Sequence, residues 1–79
     1  MTKMDEKEFV QNFANQFDDT DVSEFSMSTR FRDIDEWSSL IALGVIAMAD
    51  EEYDVTLKGD DIIKSNTVED IYNIVKSRM

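Results

Sequence analysis

Cysteine, histidine and proline are absent from this chain, and only two glycines occur. Without cysteine there is no disulfide, no thiol chemistry and no Cys/His zinc site, and without histidine the side chain most used for acid–base catalysis is missing. A self-contained enzyme would have to run on carboxylates, hydroxyls and lysines. No apolar run approaches the ~20 residues that a membrane-spanning helix needs, and Met1 to Glu8 lacks the apolar core of a signal peptide. The expectation is a cytoplasmic protein. With no repeat or low-complexity tract, the 79 residues read as a single domain, 1–79, burying about 60% of the surface its unfolded chain exposes.

Basic side chains are scarce as well, 8 against 18 acidic, for a formal net charge of -10. Such a surface repels phosphate backbones and anionic lipid and attracts basic patches on other proteins. A basic protein is the expected partner, rather than nucleic acid or membrane, and the chain is expected to be a monomer. The imbalance is local: through Asp54 there are 4 basic and 14 acidic residues, whereas Val55 to Met79 carries 4 of each.

Phe9, Val10, Phe13 and Phe17 recur at helical spacing, which predicts an amphipathic helix from Asp5 to Phe17 with Thr2 or Asp5 at its start. Asp18 to Thr29 has no sustained period and reads as a long loop anchored by Val22, Phe25 and Met27, with Phe31 and Ile34 pinning its second half. A second helix is predicted from Ser38 to Tyr53, N-capped by the Ser38 hydroxyl, with Leu40, Leu43, Val45, Ile46 and Ala47 as its apolar stripe. Gly44, in its middle, costs about 1 kcal/mol relative to alanine and points to close packing or to a contact surface. Val55 to Leu57 is extended, and Gly59 opens a short turn of helix near Asp60 to Lys64. Thr67 with Asp70 forms a capping box that begins a last helix, with Val68, Ile71, Tyr72 and Val75 facing inward. The predicted fold is all-α, a bundle of four helices, three long and one short.

One stretch stands out: Ser38-Ser39-Leu40 at a helix start, then Asp50-Glu51-Glu52-Tyr53-Asp54 at its end, Leu57 beyond it and Thr67-Val68 opening the last helix. Aligned without a gap from Ser39 to Val68, these residues resemble the acyl carrier protein family, whose Asp-Ser-Leu motif has its Ser-Leu at Ser39-Leu40. The resemblance implies an acyl-carrier-like bundle with a phosphopantetheine arm, drawn from coenzyme A, joined covalently to Ser39. It implies a carrier of acyl or related units as thioesters, in fatty-acid, polyketide or another specialised biosynthesis, and not an enzyme. Partners would be a phosphopantetheinyl transferase and acyl-loading and acyl-processing enzymes. A phosphodiester at a helix N-terminus meets free N–H donors and the positive end of the dipole, and the reactive thiol that the chain lacks would come with the cofactor.

Ser38 stands where the family has its aspartate, which keeps an N-cap and loses a charge. On the second helix the family is acidic just after the serine, whereas this chain has Ile41 and Gly44. These two, with Asp50 and Glu51, are the expected partner-binding residues. Carried over from the family, a cargo cavity between the second and third helices would be lined by Ile46, Ala49, Leu57, Ile62 and Ser65. The five phenylalanines are expected in the core by their helical spacing, and Trp37 as a half-buried anchor for the loop. Asp54 to Ser65 lacks the oxygen ligands of a calcium loop, with no glutamate at the twelfth place, and no metal site is expected. The rival reading is an unmodified acidic helical module that binds a basic protein surface.

Overall fold

The computed structural model describes residues 5–79. It contains α1 (Glu6–Ala14), α2 (Ser39–Tyr53), α3 (Gly59–Ile63) and α4 (Val68–Arg78), with single 3-10 turns at Val22–Glu24 and Phe31–Asp33. Among the described residues there is no strand beyond one isolated antiparallel bridge, Arg30 to Thr67. The all-α bundle read from the sequence is the fold observed, and no described helix is long and apolar enough to cross a membrane.

Local chemistry sets most boundaries. Asp5 caps α1 by accepting the Lys7 N–H at 2.9 Å; the alternative start at Thr2 lies outside the described residues. α1 ends at Ala14, short of the expected Phe17, because Gln16 and Phe17 turn off through bonds to the Phe13 and Ala14 carbonyls. α2 closes with Asp54 in the left-handed region, φ 55, which lets the Val55 N–H reach back to the Ala49 carbonyl at 3.2 Å. The capping box of α4 is present: Thr67 Oγ1 accepts from the Asp70 N–H, and the Asp70 carboxylate accepts from the Thr67 N–H. That carboxyl lies below its ordinary range because it also accepts from the Asn66 N–H.

The core is unusually aromatic. Phe9, Phe13, Phe17, Phe25 and Phe31 are all buried, as their spacing implies. Their rings run in contact from Tyr72 on α4, edge-on to Phe9 at 5.4 Å, through Phe13 and Phe31 to Trp37 at 4.6 Å. Trp37 is half-buried and anchors the loop as expected. Val22, expected to anchor the same loop, is instead 45% exposed; it sits in a 3-10 turn whose inward contact is made by Phe25.

The stripe expected on α2 needs correction. The buried residues are Ile41, Val45, Met48 and Ala49, whereas Leu40 and Leu43 are 77% and 61% exposed and Ala47 is exposed. α2 is apolar on almost every side from Leu40 to Ala49, so hydrophobic period alone leaves its rotation undetermined. The phase is set at its far end. Tyr53 packs on Phe9 and its hydroxyl accepts from Asn12 Nδ2 at 3.1 Å, and stepping back four residues at a time from Tyr53 gives Ala49, Val45 and Ile41.

Candidate functional site

Three attachments hold the loop that delivers the chain to Ser39. Its first half docks on α4, where the Val68 and Glu69 N–H groups donate to the Thr29 and Met27 carbonyls at 3.1 and 2.8 Å. Its middle is fixed to α3 by Arg32, whose guanidinium donates to the Ile62, Ile63 and Ser65 carbonyls at the helix C-terminus. Its end is fixed to the segment after α1 by Glu36, whose carboxylate accepts from the backbone N–H groups of Asp18, Asp19 and Thr20 and from the Thr20 hydroxyl. Burial alone would raise the Glu36 pKa; these hydrogen bonds, that from Asp18 foremost, outweigh it and hold the carboxyl below its ordinary range. None of these three attachments is legible in local sequence, because Arg32 and Glu36 act on partners 30 and 16 residues away.

After Trp37 the chain turns into α2. Ser38 is extended and is the N-cap: its Oγ accepts from the Ile41 N–H at 3.4 Å, a long bond, while its carbonyl accepts from Ala42 at 3.0 Å. Ser39 is the first residue of α2 and is exposed. Among the described residues, the N–H groups of Ser39 and Leu40 make no hydrogen bond, which is the ordinary state of a helix start and leaves donors for an anion there.

Beside Ser39 lies an open groove of about 360 Å³ between α2 and α3. Its walls are Trp37, Ala42, Leu43 and Ile46 on one side and Gly59, Ile62 and Ile63 on the other, with Arg32, Ser38 and Ser39 at the rim. Of the five cargo-lining positions expected, Ile46 and Ile62 belong to this groove. Ala49, Leu57 and Ser65 are core residues, and the Ser65 hydroxyl donates to the Asp61 carbonyl at 2.8 Å. The groove beside Ser39 is a trough open to solvent, and these three positions do not line it.

The four expected partner-binding residues separate. Asp50 and Glu51 are exposed at the end of α2, and among the described residues no lysine or arginine forms an ion pair with them. Ile41 is 9% exposed and belongs to the core, so it offers no surface to a partner; the α2 rotation turns it inward. Gly44 is half-buried under Gln16, whose Oε1 would lie 2.9 Å from an added Cβ, so close approach is what the glycine accommodates. The residues that do project beside Ser39 are Leu40 and Leu43, with Ile63, 69% exposed, across the groove. Phasing α2 from Tyr53 rather than from Leu40 would have found them.

Among the described residues, no group of three or more His, Cys, Asp or Glu side chains is placed to hold a metal ion. Compared with protein-family models, with curated proteins and with solved structures, the chain matches none of them.

Proposed function

We propose that this chain is an acyl carrier protein, with a phosphopantetheine arm attached at Ser39. The observation that carries the reading is the position of Ser39: an exposed hydroxyl at the first residue of a fifteen-residue helix, next to unpaired N–H groups and at the rim of an apolar trough. The residues present fit the group. The Ser39 and Leu40 N–H groups suit a phosphodiester, and Ala42, Ile46 and Ile62 line a trough in which an apolar cargo loses contact with water. Joined to Ser39, phosphopantetheine supplies the thiol that the chain lacks and with it the capacity to hold acyl units as thioesters.

The protein's own work is then to present and to deliver. Arg32 and Glu36 hold the Trp37–Ser38 approach rigid, so that Ser39 projects from a fixed point. The acidic surface attracts basic enzymes, and a tethered cargo reaches each of them at high effective concentration. The trough is open to solvent, which suits short or partly exposed cargo. The acyl-carrier-like arrangement of the four helices and the cytoplasmic setting belong to the same proposal.

Incubation with fluorescently labelled coenzyme A and a broad-specificity phosphopantetheinyl transferase tests it. Label should pass to the parent protein and not to Ser39→Ala. A parent that stays unlabelled with several transferases overturns the carrier reading in favour of an unmodified acidic binding module.

A further inference from the structure

The trough beside Ser39 is bordered by a single charged residue, Arg32. No carboxylate lines it, in a chain where acidic side chains outnumber basic ones 18 to 8. The guanidinium is held in place. Its Cζ lies 5.8 Å from the centroid of the Phe31 ring, and that ring packs on Trp37 at 4.6 Å. A guanidinium carries five N–H donors, one on Nε and two on each Nη. The three on Nε and Nη2 are matched by three acceptors, the Ser65, Ile62 and Ile63 carbonyls at the end of α3. Among the described residues the Nη1 donors make no hydrogen bond and Arg32 forms no ion pair. Holding α3 therefore accounts for one edge of the side chain and leaves a positive charge with two donors at the rim beside Ser39.

We propose that Arg32 is a binding residue for the prosthetic arm: its Nη1 edge takes the phosphodiester at Ser39 while its Nε and Nη2 edge keeps hold of α3. This rests on the carrier reading and adds which side chain receives the root of the arm. The phosphodiester brings a further negative charge to a chain of net charge -10, and the planar fork of arginine suits phosphate oxygens. Because the same group grips the C-terminus of α3, the root of the arm and one wall of the trough are fixed together. An arm held at Arg32 starts on the trough side of Ser39, away from Asp50 and Glu51 at the far end of α2.

The parent, Arg32→Gln and Arg32→Lys are each prepared with and without the arm, using coenzyme A and a broad-specificity transferase, and circular dichroism checks their folding. Phosphorus NMR reads the phosphodiester, and urea denaturation reads its coupling to the fold. In the parent, attaching the arm should shift the unfolding equilibrium toward the folded state by about two- to fivefold more than in Arg32→Gln, with Arg32→Lys between, and the difference should shrink at high salt. The phosphorus resonance should differ between the parent and Arg32→Gln. A side chain that serves α3 alone would weaken the protein equally with and without the arm. Equal arm effects and one common phosphorus resonance in the three proteins refute the proposal and leave the carrier reading standing. Should neither variant fold, the nitrogen NMR signals of the Arg32 guanidinium in the parent decide: a shift on attachment of the arm supports the contact, and unchanged signals refute it. A parent that takes no arm removes the carrier reading and this inference together.

Discussion

At Gly44 two opposing effects of similar size meet. Alanine there gains about 1 kcal/mol of helix propensity, but its methyl group would come within 2.9 Å of Gln16 Oε1. Gln16 is the flexible end of a side chain whose Nε2 donates to the Asn12 carbonyl at 3.1 Å, so turning it aside loses a bond worth about 1 kcal/mol. Gly44→Ala alone should therefore leave stability within about 0.5 kcal/mol of the parent. Added to Gln16→Ala, the same substitution should stabilise by about 1 kcal/mol. Urea denaturation of the three variants measures both, and equal effects of Gly44→Ala in the two backgrounds would show that Gln16 is not the constraint. Ser38 and Thr67 are legible as caps from sequence because capping is a matter of three or four neighbouring residues. The neighbour of Gly44 is not, since Gln16 lies on another element.

Among the elements, α3 depends most on outside support. It has five residues, too few to be stable alone, and two side chains hold it: Arg32 from the loop at its C-terminus, and Arg78 from α4, bidentate to Asp61 at 2.7 and 2.9 Å. Arg32→Met should cost about 1–2 kcal/mol and speed amide exchange at Lys64 and Ser65, whose N–H groups close the last turn of α3, ahead of the amides of α1 and α4. Uniform loss of protection across the chain would contradict that local role. Elements were legible wherever a cap or a strong period marks them, as at α1, α2 and α4. The rotation of α2 was not, because a helix apolar on nearly all sides has no unique inward face until Tyr53 meets Phe9 and Asn12. The same rotation moved Ile41 from the expected contact surface into the core and left Leu40 and Leu43 outside.

Over the whole molecule, two carboxylates link distant segments, Glu36 tying the loop to the end of α1 and Asp61 tying α3 to α4, and a third, Asp70, caps α4 locally. All three lie below their ordinary values, Asp61 at about 2 rather than 3.8, chiefly through the hydrogen bonds from Arg78. A folded-state pKa below the unfolded one means that the native state binds fewer protons in acid. The stability each contributes is complete above the unfolded value and is lost as pH falls through the folded one. The other carboxylates repel one another and are relieved by acid, so the contribution of one group is read by difference. Asp61→Asn should be less stable than the parent near neutral pH, and the gap should close between about pH 4 and pH 2; a gap independent of pH would show that the ion pair contributes nothing. What could be read of the molecule without its structure was its all-α class and its caps at Ser38 and Thr67, both carried by local pattern. The attachments by Arg32 and Glu36 and the shape of the trough arise from long-range contacts.

The most direct measurement is the intact mass of the parent, Ser38→Ala and Ser39→Ala after incubation with coenzyme A and a broad-specificity transferase, followed by peptide mapping. The parent and Ser38→Ala should each gain one phosphopantetheine, mapped to Ser39, and Ser39→Ala should gain none while keeping its helical circular dichroism. An arm mapped to Ser38, or no gain on the parent, would contradict the assignment of Ser39 as the point of attachment.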